Sequence, residues 1–335
     1  MNSTNPSPHH QLPKSHSYFD EWFNIPSKNS SSSIHPITSL IQCLDPKAHI
    51  NEYWEQLTRP DGRLFTQGRT TQAVYGMLKH SAGSALVSQN ESGGHISGTK
   101  ILAATTFNIG QPSPEQPDEG EVVVQVSGTG GRNVAGDSKS QQHYWESLQS
   151  WLQRTIEQDE MMAKSLNLLT GKSCLQLVIT VMVLEDNGNV KDTALLACMA
   201  AWKDTRLPKV GKDLTEVQGK LWLRPHPELP VNINEAVRCA SNEETPNDQR
   251  VQRHYRVSLT MGIWVHPRDQ TIHLIADPSN LEEPFFEGSI TIVVSLANEK
   301  LQVDYTGKVP LTGHIVALAA KLALARAREV TTILS

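Results

Sequence analysis

The chain lacks several things at once, and each absence closes a class of function. No run of about eighteen apolar residues occurs, so no membrane-spanning helix is expected. Only four cysteines are present, Cys43, Cys174, Cys198 and Cys239, and they are scattered without a CxxC pair. That spacing argues against a disulfide framework and reads as reduced, structural thiols in a cytosolic or nuclear protein. Thirteen histidines form no HExxH and no Cys/His cluster, so neither a metal nor a cofactor is expected. Positive charge is not in excess: the net charge of -5 argues against a broadly basic nucleic-acid coat, while leaving room for a local basic patch. The opening MNSTNPSPHHQLPKSHS has neither the apolar core of a secretory signal nor the Arg-rich pattern of an imported organelle protein.

Two phosphate-binding patterns also fail. TGKS at 170–173 would need a glycine at Leu166, and a strand follows it where a phosphate loop requires a helix. GTGGR at 128–132 has Asn133 where a dinucleotide fingerprint needs its third glycine. Both read as turns or loops.

What remains is an α+β pattern. Residues 1–38, rich in Ser, Pro, Asn and His, read as a disordered tail. Structure is expected from Asp45, a helix cap before Pro46, with Ile50, Tyr53, Trp54 and Leu57 on one helical face. AVYGML, SALVS, TKILAATTF and EVVVQV read as strands between 69 and 126, followed by a helix on which Tyr144, Trp145, Leu148, Trp151, Leu152 and Ile156 recur. CLQLVITVMV at 174–183 reads as a buried strand and residues 193–202 as a buried helix, which complete a first domain over 45–208. Residues 209–253, polar and broken by proline, read as an irregular connection or insertion. A second domain over 254–335 has strands at RVSLTMGIWVH, IHLIADP, SITIVVSL and KLQVDY, then the helix GHIVALAAKLALARAREV capped by Thr312.

Between the strand and the helix of the first domain lies LEDNGNVKD at 184–192. Glu185, Asp186 and Asp192 are carboxylates at a strand end, where an acid, a base or a metal ligand often projects into a cleft. A turn followed by a helix cap at Asp192 explains the same residues. Lys100, Arg132 and Lys139 lie on or beside loops of the first half, where they could meet phosphates or stand as solvated surface charges.

At RPDGR, residues 59–63, the chain resembles the RNase PH family. Further segments agree in order: RTT at 69–71, SALVS, TKILAATT, LEDNGNVKDTALLACMAAWKDTRLP, LIADPSNLEEPFFEGSITIVV and LTGHI at 311–315. Within the family the likeness is to the non-catalytic ring subunits of the eukaryotic RNA exosome. The resemblance implies an RNase PH-like α+β fold of two βαβ-containing halves packed together. It implies other RNase PH-like subunits as neighbours in a six-membered ring, with cap subunits, associated nucleases and single-stranded RNA as further partners and no membrane. Processing and decay of RNA from the 3' end, rRNA maturation included, in nucleus, nucleolus and cytoplasm would be its setting.

The resemblance also bears on the acidic turn. Active family members carry an ADGG-like turn whose Asp assists phosphate attack, and alignment through Gly188 puts Asn187 in its place. An amide neither carries that charge nor exchanges that proton. Where active members have a GPRE-like arginine this chain has Ile109, and where they have a basic cluster before the long helix it has GDSKSQQ, with Lys139 alone. No catalytic residue is therefore expected, and Lys100, Arg132 and Lys139 are left as the RNA-contacting set.

Overall fold

A computed structural model describes residues 45–90, 98–128, 138–157, 163–164, 166–207, 210–217, 220–225, 231–232, 255–295 and 300–334. Helix α1 is Pro46–Glu55, begun by the Asp45 carboxylate, which accepts a hydrogen bond from the Ala48 amide at 3.0 Å. Strands β1 Thr70–Tyr75, β2 Gly83–Asn90, β3 Thr99–Gly110 and β4 Glu121–Gly128 lead to helix α2, Ser138–Glu157. Then come β5 Asn167–Leu169, β6 Ser173–Glu185 and helix α3, Val190–Asp204. These strands form one mixed sheet in the order β1-β2-β3-β6-β4, with β5 on β6; β4 and β6 are parallel, so β4-α2-β6 is a crossover unit.

The expected irregular connection at 209–253 is not irregular in the pieces described. Strand β7 is Arg206–Leu207, and β8 Val210–Val217 pairs with β9 Lys220–Pro225, while β10 Val231–Asn232 returns to pair with β7.

The second half differs from the first. Strands β11 Arg256–Val265, β12 Ile272–Ala276, β13 Gly288–Ser295 and β14 Lys300–Gly307 form an antiparallel sheet in the order β12-β11-β13-β14, and helix α4, Gly313–Leu334, follows. The expected α+β fold is present, but among the described residues the parallel crossover is confined to the first half. The loops that join β11 to β12 and β13 to β14 are too short for a crossover helix, so these pairs are antiparallel, while the segment after β12 carries the chain across β11 to its far side, where β13 also pairs antiparallel.

Helix α3 is buried at eleven positions because it lies between the sheets, packed on β2, β3 and β6 and also on β11. This explains its nearly uniform apolar sequence, since a helix with core on every side has no polar face. Strand β6 is only half buried, although CLQLVITVMV reads as a buried strand. Leu177, Ile179, Val181 and Val183 point into the core, whereas Thr180 and Met182 face outward. A second cluster gathers Ile50, Trp54, Phe65, Trp264 and Ile275, with Trp54 stacked on Phe286 at 5.0 Å between ring centroids.

The free edge of β4 is closed by α2. Gln153 accepts from the Val124 amide at 2.6 Å and donates to the Val122 carbonyl at 2.6 Å, and Gln149 accepts from the Val126 amide at 3.1 Å. Two side-chain amides thus stand where a neighbouring strand would pair.

Candidate functional site

The turn after β6 is where the sequence poses its catalytic question, and its geometry follows from Gly188 and Asn189. Both have positive φ, +87° and 52°, which swings the chain sharply from β6 into α3. A side chain at 188 would meet the Asn280 amide nitrogen at 2.4 Å and the Pro278 carbonyl at 2.7 Å, so only glycine lets the segment after β12 approach. Asn189 is the residue before the first helical turn, and its amide donates to Glu283 Oε1 at 2.8 Å. The Gly188 amide donates to Asp186 Oδ1 at 3.0 Å. Carboxylates of the chain itself therefore take the two turn amides at the positive end of α3, where a phosphate would otherwise be drawn.

Asp192 is not the helix cap. It sits in the first turn of α3 and reaches into the second sheet, accepting from the Thr260 amide at 2.7 Å and the Thr260 hydroxyl at 2.9 Å. Burial pushes its carboxyl up from the ordinary value, and the hydrogen bonds, led by that of the Thr260 amide, oppose the shift. The helix begins at Val190, ahead of the boundary read from sequence at 193, because the left-handed Asn189 supplies the turn that a capping side chain would otherwise set.

Beside this turn lies a buried ionic cluster built by RPDGR and RTT. Arg59 forks onto Glu282, with Nε at 2.8 Å from Oε1, and its remaining nitrogens donate to the Ala276 and Asp277 carbonyls. Arg63 is gripped by Asp61 and reaches Asp277 at 3.2 Å. Arg69 donates to both oxygens of Asp277 and, at 2.9 and 3.0 Å, to the Asn187 and Gly188 carbonyls. Asn189 Nδ2 adds a bond of 2.7 Å to Asp277. Burial alone would raise the Asp277 carboxyl, but Arg69 and then Arg63 overcome it and hold the group far below the usual carboxylate range. A carboxylate so held is a poor proton acceptor. Its work is cohesion, joining residues 59–69, the turn at 187–189 and the end of β12.

Of the three residues expected to contact RNA, Lys100 alone has its side chain among the described residues. Lys100, second in β3, lies opposite Glu185 and pairs with it at 2.9 Å, each side chain over a third exposed. Arg132 lies outside the described residues. Lys139 lies in the first turn of α2, but its side chain is also outside the described residues. Ile109 does not share a site with Asn187. It pairs with Leu175 while Lys100 pairs with Glu185, so it sits at the opposite end of β3, roughly 30 Å along the strand from the turn.

A cleft of about 640 Å³ opens at the start of α3, lined by Tyr144, Lys191, Thr260, Glu283, Phe286 and Lys308, among others. Sequence reading misses Lys191, Lys308 and Glu283 because no local spacing links positions 191, 283 and 308. Lys191 stands 3.9 Å from Asp304 and over the Trp151 ring at 5.5 Å. Among the described residues no group of three or more His, Cys, Asp or Glu side chains could hold a metal ion.

Comparison with known proteins agrees with this architecture. Residues 67–208 match the 3' exoribonuclease family, domain 1, of RNase PH type. The exosome complex component Rrp42 of Pyrobaculum aerophilum is 31% identical over 178 residues, covering 53% of this chain and 62% of that one. Its counterpart in Archaeoglobus fulgidus is 25% identical over 180 residues, covering 53% and 65%. For Rrp42 of Saccharolobus islandicus the values are 31% over 199 residues, 56% and 68%. The match thus spans less than two thirds of the first two relatives. A chain of an archaeal exosome core superposes with a TM-score of 0.63 at 19% identity, covering 90% of this chain and all of that one. Rice Rrp46 gives 0.52 at 17% identity, covering 83% of this chain and all of that one. At such identity the structures speak to the fold alone, while the Saccharolobus relative carries the kinship in sequence: the chain belongs to the RNase PH 3' exoribonuclease family.

Proposed function

We propose that this chain is a non-catalytic ring subunit of an RNA exosome core, of the eukaryotic ribosomal RNA-processing protein 43 type. It borders the path of single-stranded RNA and supports 3' to 5' processing and decay, rRNA maturation included, in nucleus, nucleolus and cytoplasm. Support for the ring comes from relatives that are named exosome components. Neighbouring subunits, cap subunits and associated nucleases complete the assembly, and its chemistry resides in the nucleases. Native mass measurement of the endogenous complex tests ring membership, and a chain recovered without RNase PH-like neighbours refutes it.

The observation that carries the inert reading is the turn at 187–189. An amide stands where the resemblance puts an acid, its peptide carbonyl is taken by Arg69, and Glu283 occupies the start of α3. Restoring the acid alone leaves all of this in place, and positioning with charge stabilisation makes up most of phosphoryl-transfer catalysis. Neither the wild type nor Asn187→Asp, in an assembled ring, is therefore expected to release nucleoside diphosphates from single-stranded RNA with magnesium and inorganic phosphate. Clear product from either overturns the proposal. The rival reading, an active phosphate-dependent 3' to 5' exoribonuclease, has one observation in its favour, the cleft that holds Glu283 with Lys191 and Lys308.

Lys100, Arg132 and Lys139 then supply modest, sequence-independent RNA affinity. Replacing all three by alanine is expected to weaken binding by the ring and to flatten the salt slope by up to about two, at about 0.7 per lost phosphate contact on a single strand. The pairing of Lys100 with Glu185 reduces its share. Unchanged affinity and slope reject the assignment.

A further inference from the structure

We infer that β14 is a self-complementary edge through which two copies of this chain pair antiparallel about Gln302, Lys300 of each facing Asp304 of the other. β14 ends its sheet, and among the described residues no strand pairs along its outer side. The edge of β4, by contrast, is occupied by Gln149 and Gln153. An open edge with apolar side chains is a template for strand addition. Leu301 and Val303 are 44% and 46% exposed, although they lie on the same sheet face as their buried partners Val294 and Ile292. The core pattern of the sheet thus runs past its last covered strand into solvent.

The alternation selects the occupant. Lys300, Gln302 and Asp304 share the face of Thr291, which bonds Thr260 and so looks toward α3. Directly opposite residues of antiparallel strands share a face. A two-fold centred on Gln302 sets Lys300 against Asp304 and Leu301 against Val303, each twice, as an isologous contact requires. Centring on Val303 instead would set Lys300 against Thr306 and Asp304 against Gln302, leaving both charges without a counterpart. Asp304 is held only loosely within its own chain, 3.9 Å from a Lys191 that is itself 38% exposed. The inference stands apart from ring membership, because it concerns the chain on its own.

The test is mass in solution. The full chain at tens of micromolar is expected at twice its 37.1 kDa. Lys300→Asp sets like charges against each other at both ends of the pairing, as does Asp304→Lys, and each variant alone should dimerise on the order of tenfold more weakly or worse. Mixed one to one, the two variants restore opposite charges at both ends, and a dimer with one copy of each should form. Far-UV circular dichroism and thermal midpoints close to wild type exclude misfolding as the cause. A monomeric wild type, single variants that dimerise like wild type, or a mixture that stays monomeric overturns the inference. Ring membership is read from the endogenous complex and can fail or hold independently.

Discussion

Replacing Asp277 by asparagine is expected to lower the unfolding free energy by about 3–5 kcal/mol, the usual cost of removing one partner of a buried ion pair. The large value follows from what the change leaves behind. Arg69 is fully buried and Arg63 nearly so, and an asparagine would offer them one amide oxygen where two charged oxygens now accept. The pH dependence distinguishes this from a packing defect. Asp277 has a folded pKa below its unfolded value, so its contribution is present above the ordinary carboxylate range and is lost as pH falls through and below about 4. Asp192 acts with the opposite sign: burial raises its folded pKa, so its charged form costs stability above that value and protonation relieves the cost. Urea unfolding of wild type and Asp277→Asn at stepped pH should show the gap between them narrowing on acidification. A gap of constant size from neutral pH to pH about 3 would mean that charge is not its source.

Gly188→Ala is the second large effect, expected at about 2–5 kcal/mol. About 1–2 of this is the cost of a left-handed backbone for a residue with a Cβ, and about 1–3 the cost of inserting an atom into a filled site. The added carbon would sit 2.4–2.7 Å from backbone atoms of residues 278–280, which cannot turn aside as a side chain could. Gly171 supplies the control. Its φ is +74°, but nothing lies within 4 Å of the place a Cβ would take, so Gly171→Ala should show the backbone cost alone. Thermal unfolding of both variants tests the steric part, and equal losses would remove it.

Much of the fold is legible in periodicity. The strands from SALVS to KLQVDY, the helix carrying Leu148, Trp151 and Leu152, and the central apolar helix all lie where alternation and helical spacing put them. The use made of charged residues is not legible in the same way. RPDGR and RTT stand out as landmarks, and Asp61 beside Arg63 is one partner that local spacing does offer, yet Arg59 and Arg69 find their acids more than 200 positions away, at Glu282 and Asp277. Local spacing holds no trace of such pairs. Asp192 misleads for the same reason, since a polar residue at a helix start looks like a cap until its partner, Thr260, is seen. Asn187 and Ile109 look like one loss in the sequence, but a strand of twelve residues keeps them apart.

The glutamines that seal β4 matter most before the chain is finished. The sequence EVVVQV carries no proline or lysine to repel a passing strand, so its good behaviour is conferred from outside. Both of its neighbours come later in the chain: α2, which brings Gln149 and Gln153, and then β6, its parallel partner. As the polypeptide leaves the ribosome, β4 therefore emerges adhesive on both sides and becomes inert only when the chain through the end of β6, at Glu185, has followed it. In that interval the nascent chain exposes an edge that the completed first sheet no longer offers.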